Sequence, residues 1–230
     1  MIKNIFLDAG GIILNEDEYE IKAAEIIVKI IHKYNKRYSL KHYCKDSDEA
    51  IYRYIPKVYE YILHKNIDDE NEYKICIKEY KQKSNILSKT NFRLQNGLGT
   101  FLEKYHEKYC IGILGQYGIE FKNFLEDNGI IKYFTFSEIQ DDYKITKPDP
   151  RYFIEILNKC NCKAEESIMV GDRMDKDIIP AKMIKMKTIR VRTGKHKNQE
   201  PRILEEKPDL TVNGLEEVKE EDIIKMGNYT

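Results

Sequence analysis

The 230-residue sequence lacks any long apolar run, any excess of one charge and any cysteine pairing pattern. No apolar stretch approaches the roughly 20 residues of a transmembrane helix, so we expect no membrane-spanning segment. Lys plus Arg and Asp plus Glu both number 39, which leaves no net field to attract nucleic acid or an anionic membrane. The N-terminal MIKNIFLDAGG also lacks the separate charged, apolar and cleavage regions of a secretory signal.

Cysteine usage indicates a reducing compartment. The five cysteines form no CxxC pair, and their odd number is typical of free thiols. Cys160 and Cys162 lie two residues apart, but no further Cys/His cluster accompanies them, which disfavours a metal site there. We therefore expect a cytoplasmic protein, long enough for one large domain or for one domain with an insertion.

Short apolar runs alternate with helical patterns over most of the chain. The predicted strands are 2–7, 110–114, 133–136, 167–170, 188–191 and 210–212. Amphipathic patterns such as 120–128 and 150–160 lie between them. This alternation predicts an α/β fold with a doubly wound, Rossmann-like and mostly parallel sheet. Ligands of such sheets bind beyond the carboxyl ends of the strands.

The stretch 16–91 differs from the rest of the chain. Apolar residues recur there at spacings of three and four, as in 23–34, 49–64 and 70–84, and no strand pattern is convincing. We therefore predict an all-helical insertion at 16–91 within an α/β core formed by 1–15 and 92–230.

Four loops at or near predicted strand ends carry the residues suited to phosphate chemistry. They are Asp8-Ala9-Gly10-Gly11, Gly115-Gln116-Tyr117-Gly118, Lys147-Pro148-Asp149-Pro150, and Gly171-Asp172 with Asp177 nearby. Carboxylates are the hard oxygen ligands that Mg²⁺ takes, and it keeps other positions for phosphate and water. Lysine and turn amides neutralise the remaining phosphate oxygens, while an aspartate can attack phosphorus directly.

In order and spacing, these loops resemble the haloacid dehalogenase-like (HAD) hydrolase superfamily, in the subclass with a helical cap between the first two motifs. FLDAGGIIL, ILGQYG, KPDPRYF and MVGDRMDKDIIPAK resemble the first to fourth motifs, and the last two are the most specific. The resemblance spans essentially the whole chain. It implies a Mg²⁺-dependent phosphatase that acts on a small phosphorylated metabolite, with 16–91 as the cap.

The resemblance also assigns roles to individual residues. It implies that Asp8 is both the nucleophile and a Mg²⁺ ligand, and that the backbone carbonyl of Gly10 and the side chain of Asp172 are further ligands. Asp177 is implied to orient that set, and Lys147 to contact both phosphate and Asp8. The backbone amides of Gly115 and Gln116 are the implied phosphate contacts in the second motif.

Two positions depart from the family pattern. Gly10 stands where phosphatases of this family place a second Asp, which protonates the leaving group and then activates water. Such acid–base steps are worth on the order of a hundredfold to ten-thousandfold. Gly115 stands where a Ser or Thr hydroxyl usually binds phosphate. Candidate substitutes for the missing acid are Glu16, Asp17, a tyrosine of the insertion or His64.

Three interpretations remain open from the sequence. The first is a phosphatase with a substitute acid or none, which favours acyl or aryl phosphates because their leaving groups need little protonation. The second is a dehalogenase- or phosphonatase-like hydrolase, since those branches also lack the second Asp, although Gly171-Asp172 argues for a metal. The third is a catalytically impaired binding or regulatory protein. The sequence does not distinguish a monomer from a homodimer.

Overall fold

The computed structural model describes residues 1–90, 92–115, 117–137 and 144–228. The chain divides into two compact units, one formed by Met1–Asn15 with Arg93–Thr230 and the other by Glu16–Phe92. Across the described residues, no helix combines the length and the apolar character needed to cross a membrane.

The first unit is built on a five-stranded parallel sheet. Its strands are β1 (Asn4–Leu7), β2 (Cys110–Ile113), β3 (Ser167–Gly171), β4 (Lys187–Val191) and β5 (Leu210–Val212). They lie in the order β2-β1-β3-β4-β5. After β1 the chain adds β2 on one side and then β3 on the other, so the winding direction reverses around β1. The predicted α/β class with a Rossmann-like parallel sheet is confirmed.

The described residues of the second unit form four helices. They are α1 (Asp17–Ile31), α2 (Leu40–Tyr52), α3 (Val58–Asn66) and α4 (Glu70–Thr90). Their apolar stripes meet in one buried cluster that includes Ile27, Ile31 and Leu63. The prediction of one helix over 49–64 is wrong. The helix breaks between α2 and α3, where Tyr54 has a left-handed φ of 57° and Pro56 disfavours helical backbone in the residue before it.

In the described part of the unit that contains the sheet there are five further helices. They are α5 (Leu98–Tyr105), α6 (Ile119–Asp127), α7 (Pro150–Lys159), α8 (Ile179–Met183) and α9 (Glu220–Asn228). A single π-helical turn, Met174–Ile178, leads into α8. Phe6 and Met169 of the sheet share one buried cluster with Phe153 of α7 and Ala181 of α8. Because side chains alternate along a strand, the fully buried Ile5 and Ile168 face the opposite side.

The predicted strand at 133–136 is wrong. Ile131–Tyr133 forms a short 3₁₀ turn, and Phe136 makes an isolated parallel bridge with Gly112. The segment reaches β2 through only a few backbone bonds, such as Ile113 N–H to the carbonyl of Phe136 at 2.9 Å. It is therefore too short to form a strand.

Two chain segments close the base of the helical insertion. Asn15 N–H donates to the carbonyl of Arg93 at 2.8 Å, and Gln95 N–H donates to the carbonyl of Ile13 at 2.8 Å. Between these bonds, Leu14 forms an antiparallel bridge with Leu94. The insertion therefore leaves and rejoins the α/β unit at one hydrogen-bonded neck, seven residues after Asp8.

Candidate active site

The carboxyl ends of β1, β2 and β3 bring three of the predicted motifs to one edge of the sheet. Leu7 is in register with Ile113 of β2 and with Val170 of β3. Asp8 N–H donates to the carbonyl of Val170 at 2.9 Å, so the ladder continues into the first catalytic candidate. Gly115 and Asp172 follow the flanking strands and therefore lie on either side of the loop that begins at Asp8. This is the edge where ligands bind in sheets with a reversal of winding.

Lys147 connects two of the carboxylates. Its ammonium lies 2.5 Å from Oδ1 of Asp8 and 2.7 Å from Oδ1 of Asp177, and its side chain is only 12 % exposed. Burial opposes the charged form of the lysine. The carboxylates of Asp177 and Asp8 nevertheless raise the pKa of Lys147 above its ordinary value. The lysine is therefore a fixed positive charge that keeps the two acids together.

Asp177 is completely buried and is held through both carboxylate oxygens. Oδ1 accepts from Lys147, and Oδ2 accepts from the backbone N–H of Arg173 at 3.1 Å. Burial and the nearby charge of Asp8 raise the pKa of Asp177 above the ordinary aspartate value. Asp177 packs directly on Gly171, where an added Cβ would lie 2.3 Å from the Cβ of Asp177.

Three carboxylates converge at this edge. Asp8, Asp172 and Asp177 each offer an oxygen, and these oxygens lie within 4.8 Å of one another. Lys147 supplies one positive charge against three negative ones when all four groups are ionised, which leaves a net formal charge that a divalent cation would balance. Carboxylate oxygens are the donors that Mg²⁺ prefers. The donor set therefore fits a magnesium ion.

The loop after Asp8 is fixed through Gly11. This glycine has a left-handed φ of 72°, and a Cβ there would lie 2.8 Å from Cγ of Asp172. Its carbonyl accepts two hydrogen bonds, from Nε2 of Gln95 at 2.8 Å and from Oγ1 of Thr193 at 3.0 Å. Gly10, the predicted carbonyl ligand, is partly exposed in the same loop and forms an isolated bridge with Leu14.

The second motif approaches Asp8 closely. A Cβ added at Gly115 would lie 3.1 Å from the Cβ of Ala9 and 3.4 Å from Oδ1 of Asp8. A larger residue at this position would require Ala9 to shift by a few tenths of an ångström. Gln116, the other predicted phosphate contact, lies outside the described residues.

The fourth motif contains an ion pair that the sequence did not indicate. Asp175 has a side chain only 12 % exposed and binds Arg173 at 2.6 Å. The pair is sequestered because Gln199, itself buried, donates to Asp175 from the loop after β4. Gln199 lies 24 positions from Asp175 along the chain. A partner at that separation leaves no local sequence pattern.

Gln95 and Thr193 were also missed as residues of the site. Thr193 follows β4 at the same sheet edge, so the rule that ligands gather at strand ends offered a signal for it. Gln95 lies in the neck, far from every motif, and nothing in the sequence marks it. Glu16, Asp17 and His64, the candidate substitute acids, belong to the helical unit.

Comparisons with known proteins match the chain to one family of hydrolases. A family model described as haloacid dehalogenase-like hydrolase matches residues 8–191. Glyceraldehyde 3-phosphate phosphatase of Methanopyrus kandleri is 39% identical over 85 residues, which cover 37% of this chain and 36% of that protein. The Methanocaldococcus jannaschii protein of the same name is 39% identical over 97 residues, or 42% of this chain and 40% of the relative. The chain thus spans well under half the length of these curated relatives.

A solved structure shares the fold over the full chain. It is a HAD-hydrolase from Bacillus subtilis that was determined with bound magnesium. The two are superimposable with a TM-score of 0.64 at 16% identity, over 99% of each chain. At this identity the similarity shows the fold alone.

Proposed function

This chain belongs to the haloacid dehalogenase-like hydrolase family, and on that premise we propose that it is a Mg²⁺-dependent phosphatase acting through a phosphorylated Asp8. The observation that supports the proposal is the convergence of Asp8, Asp172 and Asp177 within 4.8 Å, with the Lys147 ammonium between Asp8 and Asp177. A strand-end aspartate, a buried lysine and further carboxylates together suit transfer of a phosphoryl group to a carboxylate oxygen.

In the first step, a carboxylate oxygen of Asp8 attacks phosphorus and the bond to the leaving oxygen breaks. The leaving oxygen takes the electron pair and gains a proton from solvent. Lys147 holds Asp8 in place and supplies positive charge beside the phosphoryl oxygens that gather negative charge. We assign the metal ligands to Asp8, the carbonyl of Gly10 and Asp172, with Asp177 orienting the set. When bound there, Mg²⁺ would neutralise phosphate charge.

In the second step, water attacks the acyl phosphate, and phosphate leaves with regeneration of the Asp8 carboxylate. Gly10 offers no side chain to take the proton from that water or to protonate an alkoxide in the first step. We therefore propose that the rate depends strongly on the leaving group. Acyl and aryl phosphates, whose leaving oxygens are stable as anions, should react faster than alkyl phosphates.

The proposed substrate is a small phosphorylated metabolite. The two archaeal relatives are named glyceraldehyde 3-phosphate phosphatases, which makes short phosphorylated aldehydes and sugars a reasonable starting class. Backbone amides of Gly115 and Gln116 are the proposed phosphate contacts. The balanced charge of the chain supports neither nucleic acid nor a membrane surface as partner.

We also propose that the helical unit, Glu16–Phe92, acts as a cap that selects substrates. Its insertion point supports this role, because the neck begins seven residues after Asp8 and Gln95 of the neck hydrogen-bonds the Asp8 loop through Gly11. The proposed location is the cytoplasm, in keeping with the unpaired cysteine pattern of the sequence.

The test is phosphate release from acetyl phosphate, an aryl phosphate and glyceraldehyde 3-phosphate, each with Mg²⁺ and with EDTA. We expect release that requires Mg²⁺, disappears in Asp8→Asn, and is at least about tenfold faster for the acyl and aryl substrates than for the alkyl one. Equal rates on all three substrates would contradict the role given to Gly10. Metal-independent halide release from a haloacid would instead support a dehalogenase.

A second candidate function is phosphoryl binding with little turnover, and Gly10 is the observation that favours it. Without a base for water, the Asp8 acyl phosphate would accumulate. Mass spectrometry after incubation with acetyl phosphate and Mg²⁺ would then show one added phosphoryl group on Asp8. Rapid turnover with no detectable adduct would contradict this candidate and indicate that another residue supplies the base.

A further inference from the structure

The loop after β4 contacts both loops that carry the proposed metal ligands. We call residues 193–199 the bridging loop. At its first residue, the Thr193 hydroxyl donates to the carbonyl of Gly11 at 3.0 Å. Gly11, which lies three residues after Asp8 in the first loop, in turn packs against the carboxylate of Asp172. This end of the bridging loop therefore fixes the Asp8 loop at the point where that loop contacts Asp172.

The other end of the bridging loop contacts the fourth motif. Gln199 is only 2% exposed, and its Oε1 accepts from the backbone N–H of Met174 at 2.8 Å. Its Nε2 donates to Asp175 at 3.3 Å. Met174 opens the turn that carries Asp177 and lies two residues after Asp172. The first N–H groups of a helix have no partner within it, so Gln199 satisfies a donor there and fixes where the turn starts.

The bridging loop is itself anchored to the sheet. Arg190 of β4 is 1% exposed and donates to the carbonyls of His196 and Lys197, at 3.1 and 3.2 Å. Within the loop, Gln199 N–H donates to the carbonyl of His196 at 2.9 Å. These bonds fix the middle of the bridging loop to β4. Thr193 and Gln199, at its two ends, are therefore held by the same anchored segment.

We propose that Gln199 and Thr193 are positioning residues that set the separation of the Asp8 and Asp172 loops for Mg²⁺ binding. Mg²⁺ requires near-octahedral oxygen ligands at about 2.1 Å, so small displacements of either loop weaken it. Partners that orient metal ligands typically contribute about tenfold to hundredfold in affinity. The inference rests on the proposed function, because it concerns the metal site of that function.

The experiment measures Mg²⁺ binding by calorimetry, with no substrate present, in the full chain and three variants. Gln199→Met keeps the side-chain length but removes both hydrogen bonds. Thr193→Val keeps the shape and removes the bond to Gly11. Asn198→Ala changes an exposed residue of the same loop and is the matched control. We expect the dissociation constant for Mg²⁺ to rise about tenfold in Gln199→Met and several-fold in Thr193→Val, and to stay at the wild-type value in Asn198→Ala.

A second readout separates positioning from general destabilisation. Phosphate release at saturating Mg²⁺ should remain within a few-fold of wild type in both variants, while the Mg²⁺ concentration for half-maximal rate rises. Tight Mg²⁺ binding by the wild-type chain with unchanged binding in both variants would overturn the inference alone. Failure of the wild-type chain to bind Mg²⁺ would contradict the proposed function and the inference with it.

Discussion

Gly171 and Asp177 are in such close contact that only glycine fits at the end of β3. A Cβ on Gly171 would lie 2.3 Å from the Cβ and 2.6 Å from the Cγ of Asp177. Asp177 is held in this position because its carboxylate accepts hydrogen bonds from Lys147 and from the backbone N–H of Arg173. The last residue of β3 thus determines where a buried charge of the candidate active site lies.

Gly171→Ala should displace Asp177 and with it Lys147. We expect a loss of roughly 1–3 kcal/mol in the free energy of unfolding, as for other overpacked sites, and loss of most phosphatase activity. Gly99→Ala in α5 is the matched control, because a Cβ there meets nothing within 4 Å. That helix substitution should leave activity intact and stabilise the protein slightly. Urea unfolding and phosphate release check both variants; an active, stable Gly171→Ala would contradict the packing argument.

Lys147→Met should separate catalysis from metal binding. Removing the ammonium leaves Asp8 and Asp177 facing each other without the lysine that pairs with both, which costs about 3–5 kcal/mol for a buried pair that loses one partner. Phosphate release should fall at least about a hundredfold, because the charge beside the phosphoryl group is lost. Mg²⁺ should raise the melting temperature more in the variant than in the wild type, since the metal then balances more negative charge.

The control for this variant is Lys144→Met, an exposed lysine three residues earlier. It should keep both the activity and the metal-dependent shift of the wild type. A smaller Mg²⁺ shift in Lys147→Met than in the wild type would show that the lysine holds the carboxylates in a binding geometry rather than competing with the metal.

Gly10→Asp should supply the missing acid and base. Among the described glycines, those with positive φ are Gly11, Gly97, Gly129 and Gly194, so the backbone conformation of Gly10 does not require a glycine. We expect alkyl phosphate hydrolysis to rise by at least about tenfold, while acyl phosphate hydrolysis changes less. Gly11→Asp is the contrasting variant, because its φ of 72° and its contact with Asp172 exclude a side chain. It should lose activity on every substrate, and an unchanged substrate preference in Gly10→Asp would contradict the acid–base argument.

His196 predicts a pH dependence of stability. It is 4% exposed, and neither ring nitrogen has a hydrogen-bond partner among the described residues. Burial, reinforced by the nearby charges of Arg173 and Lys195, lowers the pKa of His196 below its ordinary value. Below about pH 6.5 the unfolded chain therefore binds a proton that the folded chain does not, and the free energy of unfolding falls as pH falls, by about 1.4 kcal/mol per pH unit from this group.

His196→Leu should remove that contribution. Urea unfolding at pH 7.5 and at pH 5.5 gives the measurement, and the higher pH serves as the internal reference because both states are then neutral at this position. We expect the variant to gain stability relative to the wild type as pH falls. A constant difference between the two proteins at both pH values would contradict the neutral, buried histidine.

Local patterns in the sequence predicted much of this structure, and contacts between distant segments account for what they missed. The runs before Asp8 and Asp172 predicted strands because each is short, apolar and ended by a glycine or an aspartate. The break at Tyr54 was missed because the apolar spacing continues across it, although Pro56 was visible in the sequence. Apolar periodicity indicates which face of a helix is buried, but it does not indicate where the helix breaks.

Within the site, motif order predicted Asp8, Lys147 and Asp177 as neighbours, and the Lys147 ammonium lies 2.5 Å from Asp8 and 2.7 Å from Asp177. Their roles in catalysis and metal binding stay predictions. Gln95 and Gln199 could not be predicted. Gln95 hydrogen-bonds Gly11, which lies 84 positions away. Gln199 hydrogen-bonds Met174, which lies 25 positions away. Such a bond depends on the path of the whole chain.

The hydrogen-bonded neck between Asn15 and Arg93 makes the helical insertion interchangeable in principle. Its two ends are joined by one backbone hydrogen bond. For the α/β unit, the insertion is therefore a loop with neighbouring ends, independent of the structure within it. Loop-closure entropy grows only slowly with length, which means that longer, shorter or different inserts cost the parent unit little. Recombination at this point could therefore exchange the helical insertion in evolution while β1 and the Asp8 loop stay in register.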